Sequence, residues 1–142
     1  MIDIRANEVG WDFRRLVGPW AADVDEFTVE EPYLRDAWQR ELLCHLLEVV
    51  HQLGVRQVRV RTVLRRADDD LDARAELEAG LESIVASFAA VGLAVGVEAG
   101  DFHRRQLLIA HRGGALTTMW LDRGLHFWRR PRTSAAHTCL AL

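Results

Sequence analysis

A chain of 142 residues, 49% hydrophobic and 27% charged, fits one domain with a filled core. It holds no signal peptide, lipidation site or run of about 18 apolar residues, so a cytoplasmic protein is expected, at most peripheral at a membrane. Two cysteines, Cys44 and Cys139, are too few for a disulfide framework. No set of His, Cys or carboxylate residues has metal-ligand spacing, and neither metal nor cofactor is expected. The net charge of −3 conceals an asymmetry. Residues 1–100 carry eleven Arg against nineteen acids, a balance of −8, while residues 101–132 carry seven Arg against two Asp, a balance of +5. A clustered basic segment is an anion-binding footprint. Every basic residue is Arg and none is Lys. A GC-rich genome produces that bias, yet the guanidinium suits bidentate contact with phosphate or carboxylate.

Trp11, Phe13, Leu16 and Val17 have the spacing of a short amphipathic helix, stopped by Gly18-Pro19. Glu26–Val29 reads as a first strand. Glu30-Glu31-Pro32 then reads as a helix opening, with Pro32 in the first turn. Leu34, Trp38, Leu42, Leu46, Val49, Val50 and Leu53 recur at helical spacing. Leu43 and Leu47 widen that stripe, so this helix, Cys44 included, should be largely buried, with Gly54 at its C′ position. In the second strand, Val55–Leu64, the residues Val58, Val60, Thr62 and Leu64 alternate with Arg59 and Arg61. One face of the sheet is therefore covered and the other at least partly wet. Asp68, Asp69 and Asp70 offer an N-cap to a second helix. Leu77, Leu81, Ile84, Val85, Phe88 and Val91 form its stripe, and Gly92 ends it. Leu93–Val97 is a third strand; Gln106–Ala110 and Thr117–Leu121, around Arg112-Gly113-Gly114, form a hairpin. The order β-α-β-α-β-β-β predicts an α/β fold. Right-handed parallel crossovers and an antiparallel end build a mixed sheet with flanking helices. A single domain over 1–132 and a short tail over 133–142 follow.

In such sheets ligands bind at the carboxyl ends of parallel strands. Glu30, Glu31, Tyr33 and Arg35 reach that edge after the first strand, and Arg65 and Arg66 after the second. The first group also reads as a helix start and the second as a solvated loop. His103 and Arg105, two residues apart on an expected strand, point to one face. An imidazole beside a guanidinium suits a phosphoryl group: one attacks or protonates, the other neutralises charge. The same pair also reads as an ordinary strand entry. His111, beside a turn, is expected to be exposed, and His45 and His51 to be packing or surface residues of the first helix.

Three segments taken together carry a resemblance. They are Glu30-Glu31-Pro32-Tyr33-Leu34-Arg35, His103-x-Arg105, and Leu121-Asp122-Arg123-Gly124-Leu125-His126-Phe127-Trp128. With the order of elements between them, they resemble the phospholipase-D-like domain at the C-terminus of MIT-domain proteins that work with the ESCRT machinery. The likeness covers roughly residues 10–131. It implies a phospholipase-D-like fold and, from the eukaryotic relatives, binding of acidic phospholipids without catalysis. Active phospholipase D enzymes carry two His-x-Lys-x4-Asp motifs. Here His103 matches the His, Arg105 replaces the Lys, Ala110 stands where the Asp belongs, and the motif occurs once. A homodimer would supply a second His103, as in single-motif members of the wider superfamily. The hairpin is longer than in the eukaryotic domain, and Asp122 replaces the usual Gly before Arg123-Gly124. The family's last strand is missing or replaced by residues 133–142. These residues show no MIT domain, so an ESCRT role is not expected to carry over; with the lack of Lys, a bacterial stand-alone member is expected.

Three functions are compatible with these residues. The first is a non-catalytic module that recognises an acidic phospholipid head group or a phosphate group. Its ligand-binding candidates are Glu31, Tyr33, Arg35, Arg65, Arg66, His103, Arg105 and Arg123. Arg104, Arg112, Phe127, Trp128, Arg129 and Arg130 form the expected membrane or partner surface, although Phe127 and Trp128 also read as core or dimer packing. The second is a homodimeric phosphodiesterase, a nuclease or lipase with His103 as the catalytic residue, a reading that loss of the Lys and Asp weakens. The third is an adaptor for a bacterial ATPase or protease system with its own protein partner. The acidic balance argues against non-specific nucleic-acid binding.

Overall fold

The computed structural model describes residues 12–65 and 70–121. Its elements are α1 (Phe13–Val17), a 3-10 turn (Gly18–Trp20), β1 (Val24–Glu30), α2 (Ala37–Gln52), β2 (Gln57–Thr62), α3 (Leu71–Ala89), β3 (Ala94–Ala99), β4 (Gln106–His111) and β5 (Leu116–Trp120). The strands form one open mixed sheet in the order β3-β2-β1-β4-β5, the α/β architecture that the residue pattern predicts. β1, β2 and β3 are parallel, and the β4–β5 hairpin adds antiparallel to β1.

Both crossovers step the same way across the sheet, from β1 to β2 to β3. With right-handed connections α2 and α3 then lie on one face. The register agrees. Ile109, Phe27, Val58 and Val95 form one row across four strands, and Met119, Leu107, Val29, Val60 and Val97 form the next. Every member is buried except the half-buried Val97. Residues one step out of phase face the other way: Thr28, Arg59 and Gly96 in one row, and Trp120, Gln106, Glu30, Arg61 and Glu98 in the next. The alternation of Arg59 and Arg61 with valines therefore marks the two faces, as expected. The middle of the second face is buried at Thr28, Glu30 and Gln106, and its flanks are exposed at Arg59, Gly96 and Trp120.

Helix ends follow local chemistry. Asp12 caps α1 by accepting from Arg15 N at 2.8 Å, and Asp70 caps α3 by accepting from Ala73 N at 2.6 Å. α2 and α3 stop by one device. Gly54 and Gly92 adopt φ of 95° and 92°. The N–H of each and of the next residue return to the last turn, Gly54 to His51 and Val55 to Val50, Gly92 to Ala89 and Leu93 to Phe88. This is the Schellman arrangement, closed by the buried Val55 and Leu93.

The expected α2 start is corrected. Glu30-Glu31-Pro32 does not open a helix: Glu30 is the last residue of β1, and Glu31 N extends the ladder by donating to Arg61 O at 3.0 Å. The helix begins at Ala37, so residues 31–36 form a loop. The loop is held from within the domain. Glu31 Oε1 accepts the Tyr33 N–H at 3.2 Å, and the buried Arg40 guanidinium donates to the carbonyls of Leu34, at 3.0 Å, and Arg35. Trp38 leaves the expected stripe and is 51% exposed, while Leu34, Leu42 and Leu43 are fully buried. Val91 is exposed because α3 ends at Ala89, before it. Cys44 is in the core, and His45 is buried with its ring 5.4 Å from that of Phe13, a packing residue.

Candidate functional site

The connection from β3 to β4 builds the site. β3 is one edge of the sheet, and β4 lies three places away beyond β2 and β1. At about 4.8 Å between strands the connection must travel roughly 14 Å sideways, which a few extended residues just cover. Residues 100–105 therefore run as a strap along the carboxyl edge, across the ends of β2 and β1. This corrects the expectation that His103 and Arg105 share a strand face. β4 begins at Gln106, so the pair lies on the strap, where alternation between faces does not apply; His103 is exposed and Arg105 half-buried.

Side chains of the strap meet the edge at Phe102, Arg104 and Arg105. Phe102 packs its ring 5.5 Å from the Arg61 guanidinium. Arg104 lies 5.9 Å from the ring of the exposed Trp120. Arg105 places its guanidinium 4.7 Å from the Tyr33 ring, with Nε 3.6 Å from Glu31 Oε1. Glu31 is only 1% exposed. A carboxylate so deep requires a compensating charge, and the Arg105 side chain beside it, its Nε buried, is 23% exposed as a whole. The Arg105 carbonyl accepts from Leu121 N at 2.8 Å, which ties the strap to the end of β5.

Beneath the strap, on the second face, a chain of charges crosses the sheet. Glu26 pairs with Arg59 at 3.3 Å, Arg59 with Glu98 at 3.3 Å, Glu98 with Arg61 at 3.6 Å, and Arg61 with Glu30 at 3.0 Å. Gln106 Nε2 donates to the other Glu30 oxygen at 3.1 Å. The exposed members of such a ladder contribute little each. Glu30 differs, because it is buried with both oxygens engaged.

Of the candidates read from the sequence, Glu31, Tyr33 and Arg105 meet in direct contact. Arg35 sits half-buried on the same loop, and His103 on the strap. Arg65 belongs to a different place, a cleft of about 640 Å³ at the ends of β2 and β3. Arg112 is at the far edge of the sheet: its N–H donates to the Asp23 carbonyl at 2.8 Å, at the opposite end of β4 from Arg104. His111, expected to be exposed, is half-buried, and its ring contacts the Ala22 carbonyl and Thr117 Oγ1. Arg66, Arg123, Phe127, Trp128, Arg129 and Arg130 lie outside the described residues. Sequence reasoning missed Glu30 as a buried charge, Arg61, Phe102, Gln106 and Trp120. The one available signal was Arg61, which alternates with valines beside an acidic neighbouring strand end. Among the described residues no group of three His, Cys, Asp or Glu is placed to hold a metal, and no helix is long and apolar enough to cross a membrane.

An open five-stranded mixed α/β sheet in the expected order of elements, with a His-x-Arg pair on the strap at its carboxyl edge, agrees with a phospholipase-D-like domain. The chain belongs to the family described as the phospholipase D-like domain at the C-terminus of MIT, which it matches over residues 10–139. No curated protein matches the chain.

Proposed function

We propose that this domain is a non-catalytic module that binds an anionic head group or phosphate at the carboxyl edge of its sheet. The observation that carries the reading is Arg105. Its guanidinium is oriented by the buried Glu31 carboxylate and the Tyr33 ring, and its side chain as a whole is only half-buried. An arginine oriented in this way loses little side-chain freedom on binding a phosphate. The exposed Arg104–Trp120 pair lies beside it, and an aromatic ring next to a guanidinium suits the boundary of an anionic membrane. Catalysis is disfavoured on the same ground. No described side chain hydrogen-bonds or pairs with His103, so nothing among the described residues orients its imidazole. Ala110, at the motif's Asp position, lies four residues further along β4 than Gln106, away from the strap.

The test is co-sedimentation with vesicles of phosphatidylcholine alone and of phosphatidylcholine with phosphatidic acid, each at two salt concentrations, with inorganic phosphate as competitor. Binding should require the acidic lipid and weaken with salt. Arg105→Ala should weaken it by more than about 1.5 kcal/mol, the lower range for a charged hydrogen bond. Arg104→Ala should lose less and account for more of the salt dependence. Competition by phosphate separates head-group recognition from general surface attraction. Equal binding to both vesicle types would remove this reading. Hydrolysis of a generic phosphodiester that disappears in His103→Ala would replace it with the dimeric phosphodiesterase.

A further inference from the structure

β3 is an edge strand, paired with β2 on one side and with no described strand on the other. Two hydrogen bonds fix the direction of its backbone groups. Ala94 N donates to Arg56 O and Gly100 N to Thr62 O, both toward β2. Backbone groups alternate sides along a strand, so Gly96 and Glu98 face β2 as well. Val95, Val97 and Ala99 therefore turn their N–H and C=O groups outward, a row of open donors and acceptors. Edge strands are ordinarily blunted by proline, lysine, bulges or a covering segment. β3 reads Ala-Val-Gly-Val-Glu-Ala, and its one charge, Glu98, is turned to the second face by Arg59 and Arg61.

An apolar groove runs beside this edge. It has a volume of about 370 Å³, lies between α3 and β3, and is lined by Leu64, Leu81, Val85 and Val97, with Glu78 and Glu82 along it. Toward the carboxyl end of β3 it shares Leu64 and Glu78 with the cleft of about 640 Å³ that is lined by Arg65 and Arg74 and, on the strap side, by the exposed Asp101. Arg74 is tied to Glu78 at 3.3 Å. Arg65 is exposed and makes no hydrogen bond or ion pair among the described residues. Because α3 returns antiparallel to β3, Val85 and Ala86 line the amino end of the groove, Glu82 lies midway, and Arg65 and Arg74 mark its carboxyl end. Backbone, apolar surface and charge are thus aligned along one line.

We propose that this groove binds an extended peptide that adds a parallel strand to β3, with its C-terminal carboxylate at Arg65. The carboxylate takes the arginine end, which orients the peptide like β3 itself. Alternate apolar side chains cover Leu81, Val85 and Val97, and a long basic side chain at the start reaches along the groove to Glu82. β3 has six residues, so the matching ligand has about six at 3.3 Å each. Main-chain pairing supplies affinity and the alternate pockets supply selectivity, the general logic of strand addition. This site uses neither Arg105 nor the strap and stands apart from the anionic-ligand reading.

The probe is a fluorescent hexapeptide pool that begins with arginine, has valine at alternate positions, and ends in either a free carboxylate or a carboxamide. Anisotropy with the whole chain should show saturable binding of the acid, about tenfold tighter than of the amide, the effect of one charged hydrogen bond. Arg65→Glu should abolish that preference and leave amide binding unchanged. Ala99→Pro removes one outward N–H and leaves the bonds to β2 intact, so it should weaken both forms. Hydrogen exchange should show new protection at Val95 and Val97 when peptide is bound. Absence of saturable binding overturns the proposal, as does binding indifferent to amidation, Arg65→Glu and Ala99→Pro. Protection of Val95 and Val97 that grows with protein concentration without peptide also overturns it, by assigning the edge to a second copy of the chain.

Discussion

Arg40 and Gly80 should be energetically coupled, and the structure sets both the sign and the size. Arg40 is 8% exposed and holds the 31–36 loop through the Leu34 and Arg35 carbonyls, while its Nη2 lies 3.3 Å from Glu76. Glu76 is 70% exposed, so that contact contributes little. The two bonds to carbonyls are charged, that to Leu34 buried and that to Arg35 part-buried, each worth about 1.5–3 kcal/mol. Arg40→Met should therefore destabilise the domain by about 3 kcal/mol and loosen Tyr33, which packs on Arg105. Gly80, inside α3, faces this side chain: a Cβ built there falls 2.7 Å from Arg40 Nε. Elsewhere in a helix Gly→Ala stabilises by about 1 kcal/mol. Here the added methyl displaces a guanidinium that its carbonyl partners hold in place. Loss of one charged bond, about 1.5–3 kcal/mol, outweighs the helical gain, and Gly80→Ala should cost about 0.5–2 kcal/mol. In Arg40→Met the side chain is no longer pinned and can swing aside, so the same Gly80→Ala should stabilise by up to about 1 kcal/mol. The coupling is then roughly 1.5–3 kcal/mol, well above the scatter of independent sites. Equilibrium urea denaturation of the four proteins measures it. Additivity within about 0.5 kcal/mol would refute the claim that Arg40 is held rigidly against Gly80.

Other substitutions test separate parts of the fold. Thr62 is fully buried at the end of β2, and its Oγ1 makes no hydrogen bond among the described residues. Thr62→Val keeps the shape and removes an unsatisfied hydroxyl, so it should raise stability by about 1 kcal/mol. A loss of stability would mean that the hydroxyl has a partner. Asp70→Ala removes the α3 cap to Ala73 N and should cost about 1 kcal/mol by thermal or urea denaturation. Asp70→Asn should retain most of it, which separates the capping bond from charge.

Much of this molecule was legible in local patterns. The valines of β2 alternate with arginines because a strand shows opposite faces in turn, and the two faces are where that alternation places them. Gly54 and Gly92 end helices because the left-handed φ they adopt is strained for other residues. Asp70 caps for an equally local reason. The rule that ligand groups gather at the carboxyl ends of parallel strands puts Glu31 and Tyr33 at that edge, but it does not bring Arg105 there, because the residue pattern sets Arg105 on a strand.

What residue order alone determined is therefore the sequence of elements, their faces and their ends, each governed by contacts a few residues long. Strand pairing was decided only in three dimensions. Placing β4 beside β1 sends residues 100–105 sideways across the edge, so His103 and Arg105 lie on a strap and not on a strand, the first exposed and the second half-buried. The same pairing sets Arg104 and Arg112 at opposite ends of the sheet, so no small ligand contacts both. It also surrounds Glu30 with Arg61 and Gln106, partners 31 and 76 positions away. Pro32 and the two acids before it promise a helix by propensity. The ladder bond of Glu31 and the grip of Arg40 on the loop carbonyls hold the chain extended instead, because one backbone bond and two charged hydrogen bonds outweigh a preference of a few tenths of a kcal/mol per residue.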